Sequence, residues 1–247
     1  MLETIILLTS PAEQPVLAAT LLGHNPHLSV RPVATLTDLT ALEPELLRHA
    51  RLVAFATGVV VPPQVLNQLG YSGYNFHPGS PQFPGLAPAQ FAIYHKATEF
   101  GATAHLMIDR VDAGPIVGIE LFPVPIDPTV HVLELLAYAQ LARLFWRLAK
   151  SLATQIEPLP KLPIQWSGQK SSRRLYAAMC QIPLEISKEE LDRRIAAFGG
   201  NHFGINPTIN FYGVQFRFTP DHSHSLSSGG AEGQILDAGL KKQDRAA

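Results

Sequence analysis

The sequence predicts an α/β fold: a mainly parallel sheet with helices on both faces, followed by a small C-terminal helix and β-hairpin region. Three observations predict it. Short apolar runs bounded by Gly or Pro alternate with segments of helical spacing through the first half of the chain. A long amphipathic stretch over 130–156 closes that half, with Val132, Leu135, Leu136, Ala139, Leu144 and Phe145 broadly on one helical face. Beyond Pro158 and Pro160 the character turns polar, and two apolar runs flank Tyr212-Gly213, a tight-turn pair.

The elements follow in order. Residues 4–9 form a first buried strand ending at Ser10-Pro11, and 12–22 a helix closed by Gly23. Residues 29–35 form a second strand, 36–49 a helical segment, and 51–57 a third strand punctuated by Gly58. Residues 62–69 form a short helix with Pro in its first turn, where the missing N–H does little harm. A fourth strand covers 71–77, a helix 86–99, and further strands 103–110 and 116–124. Residues 187–198 read as a charged helix and 208–218 as the hairpin. Strands alternating with helices imply a doubly wound, Rossmann-like sheet, whose ligands bind beyond the carboxyl ends of the strands. The organisation expected is a catalytic domain over 1–157, a linker and small subdomain over 158–220, and a tail or truncated barrel over 221–247.

At 247 residues the chain can bury a sizeable core, and its formal net charge of −1 offers no broad field for nucleic acid or an anionic membrane. Its single cysteine, Cys180, excludes an internal disulfide and a thiolate metal cluster, so a reduced, cytoplasmic setting is the default. The apolar run Ile5-Ile6-Leu7-Leu8 is too short to cross a bilayer and lacks the flanks of a signal peptide.

The chemistry concentrates at Asn75-Phe76-His77-Pro78 and Asp112-Ala113-Gly114-Pro115-Ile116. Two positions apart on a strand, Asn75 and His77 point to the same face while Phe76 points into packing. An amide and an imidazole side by side can grip a carbonyl oxygen as it becomes an oxyanion, worth roughly 3–4 kcal/mol per donor. Asp112, on another strand end, can raise the pKa of His77 or hold a water that takes an amine proton. His105, alternating with Thr103 and Met107, reads as a half-buried strand histidine. Lys170, Arg173 and Arg174 read as a solvated face that could contact a phosphate, and Trp166 as core packing. His222 and His224 read as part of a solvated tail, and no metal is expected.

Taken in order, Asn75-Phe76-His77-Pro78, Phe83-Pro84-Gly85, Gly101-Ala102-Thr103-Ala104-His105 and Asp112-Ala113-Gly114-Pro115-Ile116 resemble the folate-dependent formyltransferase family, over roughly 1–155. That family includes tRNA, glycinamide ribonucleotide and nucleotide-sugar formyltransferases. The resemblance implies N10-formyltetrahydrofolate as formyl donor and a free amine as acceptor. It implies that Asn75 orients the formyl oxygen, that protonated His77 stabilises the oxyanion, and that Asp112 supports His77 and helps remove the amine proton. It places the donor's heterocycle near Gly58, Val59, Val60 and Val61 and near Ala113, Gly114, Pro115 and Ile116. The loop after the His-Pro pair, Gly79, Ser80, Pro81 and Gln82, is one residue shorter than in many family members. The resemblance places that loop near the acceptor. After Thr9, Ser10-Pro11-Ala12-Glu13 stands where the glycinamide ribonucleotide enzymes have a glycine-rich turn, which argues against that subfamily.

Residues 190–198, 206–208 and 211–214 are similar to the opening of the C-terminal domain of tRNA formyltransferases, and 233–237 to its next strand. The expected acceptor is a small or nucleotide-linked amine, with an amino sugar favoured and tRNA the runner-up. A formyltetrahydrofolate hydrolase and a non-catalytic folate- or nucleotide-binding module remain alternatives. An edge of the 208–218 hairpin could pair across a homodimer interface.

Overall fold

The computed structural model describes residues 2–219. Its elements, in chain order, begin with β1 (Thr4–Leu8), α1 (Gln14–His24), β2 (Ser29–Val33), α2 (Leu36–Thr40), α3 (Pro44–Arg48) and β3 (Ala50–Phe55). There follow α4 (Pro63–Leu66), β4 (Tyr74–His77), α5 (Pro88–Tyr94), β5 (Glu99–Leu106), β6 (Ile116–Pro123) and α6 (Val130–Thr154). The C-terminal part holds α7 (Arg173–Cys180), α8 (Lys188–Phe198) and the hairpin β7 (Thr208–Phe211) and β8 (Val214–Arg217).

The six-stranded sheet runs β2-β1-β3-β4-β5-β6. Its first four strands are parallel, as the alternation of strands and helices requires, whereas β5 and β6 run antiparallel. Side chains alternate between two cores. Ile5, Leu7, Val53, Phe55, Tyr74 and Phe76 pack against Leu17 and Leu21 of α1 and Leu141, Leu144, Phe145 and Leu152 of α6. Ile6, Leu8, Leu52 and Ala54 meet Leu39, Leu47 and Val65 of α2, α3 and α4 on the opposite face. Each large apolar side chain buried this way contributes about 1.5–3 kcal/mol.

Arg51 is fully buried on the α6 side. Its guanidinium donates to the carbonyls of Ser151 (3.4 Å), Leu152 (2.6 Å) and Ile156 (3.5 Å). The negative end of the helix dipole thus receives a cation, which ties β3 to the point where α6 ends. Tyr74 lies 5.5 Å from the same guanidinium, and its hydroxyl accepts from the Leu159 amide at 2.8 Å.

Three expectations need correction. The helix expected over 86–99 stops at Tyr94, and β5 starts at Glu99, four residues before the strand expected there. The 36–49 segment is two helices, because Pro44 cannot donate into a continuing ladder and instead starts α3. The polar stretch around Arg173 is a helix, α7, capped by the Ser172 hydroxyl, which accepts from the Leu175 amide at 3.1 Å. Tyr176 and Cys180 of α7 and Ala197 and Phe198 of α8 pack on Ala87 and Phe91 at α5, so the C-terminal elements share a core with the main body. Glu190 reinforces this by accepting from Tyr94 at 2.7 Å and from Arg193 and Arg194 at 2.6 and 2.7 Å. The hairpin turns at Tyr212-Gly213 as expected. The tail expectations, including His222, His224 and 233–237, lie outside the described residues. Among the described residues no helix is long and apolar enough to cross a membrane.

Candidate active site

Asn75 and His77 lie on the last turn of pleat of β4, with Phe76 in the α6-side core, so both point to the other face. The β4–β5 register sets Asn75 opposite His105 and His77 opposite Thr103. Asp112 arrives from the β5–β6 loop with a positive φ of 47°. Asn75, His77, His105 and Asp112 thereby form one cluster, with both imidazoles and the carboxylate buried.

Asp112 is the hub. Its Oδ1 accepts from Asn75 Nδ2 at 3.2 Å and lies 3.1 Å from His105 Nε2. Its Oδ2 accepts from the Gly85 amide at 2.8 Å and lies 3.5 Å from His77 Nδ1. Burial would raise the carboxyl's pKa, but the two imidazoles and the Gly85 amide outweigh it and hold it well below the usual carboxylate range. Asp112 is therefore the fixed negative charge of the cluster.

His77 Nε2 lies 3.0 Å from the Phe83 carbonyl, which can only accept, so Nε2 carries a proton and Nδ1 faces Asp112. Burial pushes the imidazole's pKa below its ordinary value, against the opposing pull of Asp112. The Phe83 carbonyl at Nε2 and the Asp112 carboxylate at Nδ1 both favour the protonated ring and work against that shift. A carboxylate cannot donate, so the Asn75 nitrogen faces Asp112 and, at 3.1 Å, His105 Nε2, leaving Oδ1 as its uncommitted atom.

His105 lies on a strand, β5, as expected, but deeper than the half-buried position expected of it. It is buried inside the cluster, with Nδ1 2.9 Å from the Leu106 carbonyl. Its position depends on antiparallel pairing with β4, and strand alternation alone carries no signal of that partner. Trp166, expected in core packing, comes to the cluster from the linker after α6, whose return over the site no local pattern signals. Its indole N–H donates to the Gly114 carbonyl at 2.9 Å, and its ring meets His105 and His77 edge-on at centroid distances of 5.2 and 5.8 Å.

A cavity of about 330 Å³ opens over the cluster. Gly58, Val59, Val60 and Val61 all line it, together with Asn75, His77, His105 and Asp112. On the loop side its wall is Ile108, Arg110, Val111 and Asp112, one step earlier than expected. Ala113, Gly114, Pro115 and Ile116 lie outside the lining. They are drawn into the sheet, where the Leu106 amide donates to Pro115, the Leu162 amide donates to Ile116, and the Ile116 side chain is buried. Gly79, Ser80, Pro81 and Gln82 also lie outside the lining. Gly79 accepts from Thr103 Oγ1 at 2.7 Å, and the Ser167 amide donates to Pro81 at 3.1 Å, so this loop is covered by the linker that follows α6. Lys170, Ser171, Ser172 and Arg173 line the cavity instead.

Residues 13–137 match the formyl transferase family. A methionyl-tRNA formyltransferase of Trichodesmium erythraeum is 31% identical over 169 residues, covering 64% of this chain and 48% of that protein. Another, from a Synechococcus species, is 32% identical over 165 residues, covering 64% of this chain and 49% of its own length. The chain thus spans about half the length of the curated relatives it matches. In three dimensions it is similar to a 4-N formyltransferase from Francisella tularensis, with a TM-score of 0.69 and 17% identity over 89% of this chain and 98% of that one. A sugar N-formyltransferase from Shewanella is similar at a TM-score of 0.69 and 15% identity, with 89% and 98% coverage. A methionyl-tRNA formyltransferase from Clostridium thermocellum follows at a TM-score of 0.59 and 13% identity, with 89% and 92% coverage. With the matched segment running from the start of α1 into α6 and carrying the whole Asn75–His77–His105–Asp112 cluster, this chain belongs to the formyl transferase family.

Proposed function

We propose that the protein transfers a formyl group from N10-formyltetrahydrofolate to the primary amine of a small, phosphate-bearing acceptor, a nucleotide-linked amino sugar being the favoured class. The observation that carries this reading is the composition of the cavity. Its floor is the Asp112-centred cluster, and its remaining charged lining residues are all cations: Arg110, Lys170 and Arg173. Three cations at the mouth suit one or two phosphates on a small molecule. A tRNA acceptor would call for a more extended basic surface, which a chain of net charge −1 does not suggest. The names of the structural neighbours include sugar N-formyltransferases, and those of the sequence relatives include methionyl-tRNA formyltransferases.

In the proposed reaction the amine nitrogen bonds to the formyl carbon, the bond from that carbon to N10 breaks, and one amine proton ends on N10. Asn75 Oδ1, its free acceptor, orients the amine N–H. Neutral His77 takes the proton at Nδ1, and Asp112 at 3.5 Å stabilises the imidazolium that forms. The valine-lined wall at Val59, Val60 and Val61 receives the flat heterocycle of the donor. The test is a screen of amines with the donor, read as release of tetrahydrofolate. Turnover of nucleotide-linked amino sugars is expected. Turnover of methionyl-tRNA alone would reassign the acceptor, formate release without any amine would make the protein a hydrolase, and donor binding with no turnover of any amine or of water would leave a binding module.

A further inference from the structure

The linker after α6 crosses the candidate site as a strap. Ser167 donates its amide to the Pro81 carbonyl at 3.1 Å, and Gly168 passes so close to the same loop that a Cβ there would lie 1.6 Å from the Gln82 carbonyl oxygen. Ser171 then forms a parallel bridge with Gly85. Its amide donates to Pro84 at 3.0 Å, and its carbonyl accepts from the Leu86 amide at 3.4 Å. Its buried hydroxyl reaches the carbonyls of both Pro84, at 3.1 Å, and Leu86. Ser171 therefore grips the chain immediately before and after Gly85.

Gly85 is the residue whose amide donates to Asp112 Oδ2 at 2.8 Å. It is held at a φ of +94°, and a Cβ on it would lie 2.2 Å from the Ser171 carbonyl oxygen. Such a backbone angle and so close an approach suit glycine alone. The direction of the Gly85 N–H is thus fixed from behind by Ser171, which lies 86 positions later in the chain.

We infer that Ser171 is a positioning residue for the proposed formyl transfer, aiming the Gly85 amide at Asp112 and so coupling the linker to the charge at the centre of the site. This rests on the transfer reading above. A mere packing residue would affect the stability of the whole domain. A positioning residue affects the Gly85–Asp112 bond in particular, and turnover more than donor affinity.

The test compares Ser171→Ala and Gly168→Ala with Ser187→Ala, which removes the hydroxyl cap from the start of α8, away from the cavity. Amide hydrogen exchange is followed by NMR at neutral pH on the whole chain, with no substrate needed. Gly85 exchange is expected to rise roughly tenfold in the first two variants while the β3 amides keep their rates. That is the scale for weakening a hydrogen bond to a charged group. Ser187→Ala should leave Gly85 unchanged. With the donor and an active amine, kcat should fall roughly tenfold in Ser171→Ala with the donor's KM little altered. Gly85 exchange that stays at the wild-type rate, or rises only in step with β3, would overturn the inference. A wild-type protein that transfers no formyl group would count against the reaction alone, since the exchange measurement still decides whether Ser171 aims Gly85.

Discussion

Asn75 and His105 face one another across the β4–β5 pairing, Nδ2 and Nε2 being 3.1 Å apart, and Asp112 Oδ1 closes the triangle at 3.2 and 3.1 Å. Each corner therefore orients the other two, and His105 acts on the site without needing to reach a substrate. Replacing it with leucine leaves the Asn75 amide short of an acceptor and the Leu106 carbonyl short of a donor. His105→Leu is expected to lower turnover by about 10–100-fold and stability by about 1–3 kcal/mol. Steady-state kinetics and urea unfolding measure both, and an unchanged kcat would return His105 to a packing role.

His77→Gln removes the proton acceptor of the proposed reaction while keeping a polar side chain. Turnover should fall by about 10²–10⁴-fold. The variant should also lose part of its acid sensitivity. The folded-state pKa of His77 lies below its ordinary value of 6.5, so the unfolded chain takes up the proton first. Its contribution to stability is complete above pH 6.5 and declines as pH falls below it. Unfolding curves at neutral and mildly acidic pH should converge for His77→Gln relative to wild type.

Asp112→Asn keeps the shape and removes the charge. Asparagine tolerates a positive φ, so the fold should persist while turnover drops at least about a hundredfold. The depressed pKa of Asp112 gives stability that is present above its ordinary value of 3.8 and lost as pH falls through and below it. The asparagine variant lacks that titration, so its stability should change less on strong acidification. Parallel acid titrations by circular dichroism would show it, and identical acid limbs would contradict it.

Trp166 keeps water from the outer edges of both imidazoles. Trp166→Ala should admit water and let the His77 pKa climb toward 6.5, since burial is its main depressing influence. Trp166→Phe keeps the ring and loses only the bond to Gly114, so it should move that pKa much less. Titration of the imidazole C–H resonances distinguishes the two.

Arg51→Met exchanges a buried cation for an apolar chain and takes the guanidinium from the Leu152 and Ile156 carbonyls, while the Ser151 carbonyl keeps the Gln155 amide. A loss of about 2–4 kcal/mol in urea unfolding is expected, with specific activity retained in the folded fraction.

Much of this architecture is written locally. Asn75 and His77 could be placed on one face because strand alternation needs no knowledge of neighbours, and the four parallel strands follow from apolar runs punctuated by Gly and Pro. What escaped depends on pairing over distance. His105 joins the cluster only because β5 runs antiparallel to β4, and Trp166 and Ser171 reach it only because the linker folds back over 81–86. The α7 helix was legible in principle: Ser172 followed by Leu175, Tyr176, Met179 and Cys180 gives a cap and a helical stripe. The adjacent arginines, Arg173 and Arg174, masked it. The Gly79–Gln82 loop lies outside the cavity lining, because closeness in sequence to His77 does not say which side of the chain the cavity opens on.

Asp112 carries its carboxylate on a left-handed backbone, and that makes position 112 selective twice over. The surrounding donors ask for a carboxylate, which leaves aspartate and glutamate. The backbone favours glycine, asparagine and aspartate over longer side chains. Only aspartate satisfies both demands, so the residue has no near neighbour among the other amino acids. Anyone redesigning this protein for a bulkier acceptor must therefore move the loop around Asp112 as a unit, because no other residue at the position keeps both the charge and the backbone.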